Sequence, residues 1–96
     1  MGPAETARRV LDAIPSSASI LIHLDVDVFN RHQMPAAYFP HDGGLTPGEG
    51  AELFAGLARD PRVRLIEVTE YASLRDPDLI WAGELVSLLA AGLAPG

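Results

Sequence analysis

The run Ala18-Ser19-Ile20-Leu21-Ile22-His23-Leu24-Asp25 does most to limit what this chain can become. It is nearly all apolar until its last residue and is rich in Ile and Leu. A run this short and this apolar reads as a strand buried on both faces, the kind found in parallel sheets covered by helices. A short helix is expected before it, over residues 3–14. Pro3 suits a first-turn position, Glu5 favours the positive end, and Val10, Leu11 and Ile14 fall on one stripe. Pro15-Ser16-Ser17 stops that helix.

Residues 26–45 show no sustained period and contain Asn30, Pro35, Pro40, Gly43 and Gly44. So long a loop in a compact domain is either functional or a misread element. Because it leaves the acidic end of a buried strand, we read it as functional. Thr46-Pro47-Gly48-Glu49 then opens a helix, with Thr46 as N-cap, Pro47 at the first helical position and Glu49 completing a capping box. Leu53, Phe54, Leu57 and Ala58 form its buried stripe, and Asp60-Pro61 ends it. Residues 62–69 read as a second strand, and Asp76-Pro77-Asp78 caps a last helix over 77–92. Leu79, Ile80, Gly83, Val86, Leu89 and Ala90 are expected on its inner face, with Gly92 as its stop and Trp81 as a packing residue.

Strand, helix, strand with two apolar strands is a βαβ unit, so the fold class is α/β: a parallel βαβ unit with flanking helices. Two strands make a poor sheet alone. The pattern therefore reads as one partial domain over residues 1–96, a slice of a three-layer α/β/α sheet, with residues 1–17 as an N-terminal helix and linker.

Composition narrows the function. Hydrophobic residues at 48% and charged residues at 21% are near globular averages and argue against a disordered chain. The formal net charge of −6 disfavours a nucleic-acid partner. All seven basic residues are Arg, so no mechanism that needs a lysine ammonium applies. The absence of Cys removes thiolate metal sites and Cys nucleophiles. No signal-peptide pattern and no run long enough to span a membrane is present, so a cytoplasmic protein is expected.

Asp25-Val26-Asp27 carries the sharpest chemistry. Ligands bind open α/β sheets at the carboxyl edge of the strands. Two carboxylates two residues apart point the same way on an extended backbone, and a divalent cation relieves their repulsion through oxygen ligands. The competing reading is that they cap the loop. A haloacid-dehalogenase-like phosphatase would use such a strand end, but it also needs a downstream Lys (occasionally Arg) and a further acidic metal site, and with no Lys here this reading is disfavoured. A nucleotide-sugar glycosyltransferase would use D-x-D on a diphosphate, and nothing else here supports it. His23 reads as a core or edge histidine, and His32 and His41 as solvated loop histidines, the alternative being that either ligates a metal beside the aspartates. Glu67 is expected to face the same site, unless it pairs at the surface with Arg64 or Arg75.

The ordered series Ile22-His23-Leu24-Asp25-Val26-Asp27-Val28-Phe29, Met34-Pro35-Ala36, Gly43-Gly44-Leu45-Thr46 and Ile66-Glu67-Val68-Thr69 resembles the arginase/agmatinase (ureohydrolase) family in order and spacing. The resemblance runs from about residue 19 to residue 93 and corresponds to the C-terminal portion of a family domain. It implies a metal-dependent hydrolase of guanidino or amidine C–N bonds with two Mn²⁺ ions. Asp25 and Asp27 match the D-x-D metal ligands, and Glu67 matches the glutamate on the guanidinium side of the substrate. The sequence departs from the family at Asn30-Arg31, where the family has D-P, and at Ala37-Tyr38-Phe39-Pro40-His41-Asp42, where it has a Gly-rich substrate loop. The family's other metal ligands, an N-terminal His and an H-D-x-H-D-like motif, are not in these 96 residues. The implied partners are a small guanidino or amidine substrate and the missing N-terminal portion. The alternative is a non-catalytic remnant that self-associates through an open sheet.

Overall fold

The computed structural model describes residues 1–94. Among them, α1 spans Pro3–Ala13, β1 Ile20–Asp25, α2 Pro47–Ala58, β2 Val63–Thr69 and α3 Ile80–Leu93. Short 3-10 turns lie at Val26–Val28 and Ser73–Arg75. β1 and β2 pair in parallel, joined through α2, in the βαβ arrangement expected.

α2 begins as its sequence dictates. Thr46 Oγ1 accepts from the Glu49 amide at 3.1 Å, and Glu49 Oε1 accepts from the Thr46 amide at 2.9 Å. Two otherwise orphaned donors are thereby satisfied reciprocally. α1 packs on α2, and α2 on α3. Ala7 is the buried residue of α1, and Gly56 of α2 leaves the room it needs.

The core lies between these helices and one face of the sheet. Ile22, Phe54, Leu85 and Leu88 meet there with Val26, Phe29 and Met34 from the long loop. Each such side chain contributes about 1.5–3 kcal/mol by leaving water. The other sheet face is open. Leu21 is 52% and Leu65 55% exposed, so β1 is not buried on both faces as its composition predicts.

α3 also departs from expectation. Its inner residues are Leu85, Leu88 and Gly92, with Trp81 and Leu89 partly buried, while Leu79, Ile80 and Val86 point outward. The helix is apolar on nearly every side, so its hydrophobic pattern leaves its rotation undetermined. Gly92 is a packing residue inside the helix, not its stop.

The long loop is organised around Phe29. Its ring is buried over Gly50 of α2, where any Cβ would overlap it. Gly44 crosses its backbone, and a Cβ there would stand 2.6 Å from Val28 O. Parallel bridges Phe29–Leu45 and Asn30–His41 close the loop on itself. This packing fixes the chain where it leaves Asp25.

Candidate functional site

Asp25 is the last residue of β1, at the carboxyl edge of the sheet. Its Oδ1 accepts from the Asp27 amide at 2.8 Å and caps the Val26–Val28 turn. The backbone is therefore not extended through the motif, and the expected parallel projection of two carboxylates from an extended strand does not hold. Val26, fully buried, is the reason: the turn drives it into the core and leaves the flanking aspartates half-buried. Asp27 Oδ1 accepts from the Phe39 amide at 3.1 Å, which ties residues 37–42 to the turn. The second oxygen of each carboxylate has no protein hydrogen bond among the described residues.

Asn30 stands where the sequence departs from D-P, and it braces the loop. Its Oδ1 accepts from the His32 amide at 2.9 Å and its own amide donates to Leu45 O at 2.8 Å. Arg31 donates to Pro40 O at 3.0 Å and lies 3.3 Å from Asp42. His32 also turns to Asp42, at 3.2 Å, and is largely exposed, as is His41. Among the described residues no group of three or more His, Asp or Glu side chains is placed to hold a metal ion.

Glu67 faces outward on the open side of the sheet, half-exposed. Its partner is neither Arg64 nor Arg75 but His23, directly opposite in the register, with Nδ1 2.5 Å from Glu67 Oε1. His23 Nε2 lies 3.0 Å from Thr69 Oγ1, and Thr69 pairs with Asp25. Residues i and i+2 share a sheet face, so His23 and Asp25 on β1 and Glu67 and Thr69 on β2 form one polar block beside Leu21 and Leu65. The sign of this block was present in the sequence. His23 precedes the end of its strand by two residues, and so does Glu67.

Chemically, the block joins one carboxylate oxygen of Asp25, without a hydrogen bond among the described residues at the end of β1, to the Glu67 carboxylate held by an imidazole. Its oxygen donors suit a hard or borderline divalent cation. The protein-family model for the arginase family matches residues 1–94. The chain belongs to the arginase family.

Solved structures agree on the fold. The arginase from Bacillus cereus is 21% identical, with a TM-score of 0.88 over 100% of this chain and 33% of its own. The Entamoeba histolytica arginase, solved with L-ornithine, is 10% identical at 0.88, over 99% of this chain and 32% of its own. The Trypanosoma cruzi formiminoglutamase, solved with Mn²⁺, is 18% identical at 0.77, over 92% and 31%. No curated protein matches the sequence. The chain thus spans about a third of the length of the structures it resembles.

For this arginase-family chain, the donor chemistry fits manganese in part. Asp25 and Asp27 each keep one carboxylate oxygen available while the other anchors the turn. Two carboxylates are fewer donors than an ion pair requires. No helix among the described residues is long and apolar enough to cross a membrane.

Proposed function

We propose that this chain supplies part of a metal-dependent ureohydrolase site, cleaving guanidino or amidine C–N bonds when its remaining ligands are provided. The observation that carries this reading is Asp25-Val26-Asp27 at the carboxyl end of β1, with one oxygen of each aspartate pinned to a backbone amide and the other available. Asp25 and Asp27 would hold Mn²⁺. The ions, when bound, would supply Lewis acidity and an acidified water. Glu67 would attract the planar cationic end of the substrate and favour the orientation in which its carbon can be attacked. The pinned oxygens keep the aspartates from relaxing away from the cation.

The test is calorimetric titration of the chain with Mn²⁺ beside an Asp25→Ala/Asp27→Ala double variant. The parent should bind and the variant should not. Equal binding by both would remove the metal assignment.

A second reading rests on the open sheet. β1 and β2 each have one edge without a strand partner among the described residues, and Leu21 and Leu65 lie bare between them. Exposed edges and apolar faces favour association. On this reading the chain is an association module that docks the missing portion of the domain or another copy. Analytical ultracentrifugation separates the two: a monomer at high micromolar concentration with a cooperative melt would count against the association module.

A further inference from the structure

The geometry points to His23 as a positioning residue for Glu67, an inference that rests on the role proposed above for that carboxylate. Glu67 is half-exposed on a sheet face that no layer covers among the described residues, and a glutamate there would ordinarily sample many rotamers. Here its Oε1 is held at 2.5 Å by His23 Nδ1 from the neighbouring strand. A carboxylate only accepts, so Nδ1 carries the proton of this bond. Nε2 lies 3.0 Å from the Thr69 hydroxyl, which can donate to it in the neutral ring or accept from it in the charged one, so the bond to Glu67 is kept in either form.

Each member is fixed by the one behind it. Thr69 is placed by its pairing with Asp25, and His23 by its pairing with Glu67, through the β1–β2 register. The imidazole spans the two residues of β2 that share its face. The result is a carboxylate whose Oε1 is occupied and whose Oε2 is left for an incoming N–H donor. The site therefore offers one oxygen to a guanidino group in a set direction, not a freely rotating fork. The apolar neighbours Leu21 and Leu65 flank the same face and give a planar cation a surface to lie against.

Side-chain isosteres test this directly. The amide nitrogen of Asn can stand where Nδ1 stands, and that of Gln approximates Nε2. The full chain and its His23→Asn, His23→Gln and His23→Ala variants are titrated with methylguanidinium, and the Glu67 side-chain carboxyl and Thr69 amide resonances are followed by NMR. Thermal melts are recorded in parallel. The parent and His23→Asn should bind alike. His23→Gln and His23→Ala should bind roughly fivefold more weakly, the value of one hydrogen bond, with melts like the parent's. Equal affinity in all four overturns the positioning role and leaves the reading of Glu67 intact. A parent that does not bind the probe overturns both, while the Mn²⁺ titration still reports separately on Asp25 and Asp27. Loss in His23→Ala and His23→Asn alike, with matching loss of melting temperature, makes His23 merely structural and also overturns the inference.

Discussion

Gly92 of α3 lies against the ring of Phe54 in α2, so close that a Cβ at 92 would come within 2.6 Å of Cε2 and nearer still to Cδ2. Phe54 is 3% exposed, and Ala55 Cα stands 3.5 Å from the same point, so the ring has little freedom to yield. Gly83, nine residues earlier on the same helix, has nothing within 4 Å of such a methyl. The same substitution should therefore have opposite signs. Gly83→Ala gains helix propensity and should stabilise by about 0.5–1 kcal/mol. Gly92→Ala gains the same propensity but overpacks, and should lose about 1–2 kcal/mol net. Urea melts of the two variants check this by the direction of the midpoint shift.

Asp76 gives the fold an acid limit. It is buried, yet its carboxyl is held below the ordinary value of 3.8. Burial is the largest influence and pushes it up. The Tyr71 hydroxyl, at 2.5 Å, and the amides of Trp81, Ala82 and Ile80 together outweigh that push. Because the folded value is the lower one, stability from this group is present above the unfolded value and is lost as pH falls through the folded one. The melting temperature should hold at neutral pH and drop below about pH 4. Asp76→Asn should melt lower at neutral pH and show a smaller further drop in acid, since it brings an N–H₂ against the Ala82 amide. A thermal melt series from pH 7 to pH 2 reads both effects.

Arg62 ties the end of α1 to the start of β2. Its guanidinium donates to the carbonyls of Leu11, Ile14 and Pro15 at 2.9–3.0 Å and pairs with both oxygens of Asp60. Asp60 is held below its usual range by that pairing. Only a planar fork reaches all of these acceptors at once, so Arg62→Lys should fail almost as badly as Arg62→Ala. The backbone amides of α1 should exchange roughly tenfold faster in both variants, with those of β1 little changed. Hydrogen exchange followed by mass spectrometry resolves the two segments.

These elements also mark where sequence reading succeeds. The α2 capping box is local: Thr46 and Glu49 are three residues apart, and nothing distant can alter their reach. The parallel βαβ order follows from two apolar strands around one amphipathic helix. The rotation of α3 did not follow, because Leu79, Val86, Leu85 and Leu88 are all apolar and only the tertiary core they pack against selects among them. The bare faces of Leu21 and Leu65 were equally hidden, since a run of apolar residues reads the same whether one face of its strand is covered or both. At the site, the D-x-D position was legible and its geometry was not. The buried Val26 bends the backbone between the aspartates, and the His23–Glu67 pair depends on a register set by residues more than forty positions apart.

The two functions of Asp25, anchoring the turn and the proposed metal ligation, can be separated by chemistry. Its Oδ1 accepts from the Asp27 amide, and Asp27 Oδ1 from the Phe39 amide. Asn retains that carbonyl acceptor and discards the charge, whereas Ala discards both. Asp25→Asn/Asp27→Asn should therefore keep stability within about 0.5 kcal/mol of the parent, while its Mn²⁺ affinity falls by at least an order of magnitude, because neutral amides are poor ligands for this cation. Without metal, Asp25→Ala alone should lose about 1 kcal/mol through the missing cap; with Mn²⁺ present the gap to the parent should widen, since only the parent gains stability by binding. Calorimetry and urea melts on the same preparations give both quantities. An Asn pair that binds Mn²⁺ as the parent does would place the metal elsewhere, and an Asn pair that unfolds would mean the charges themselves hold the turn.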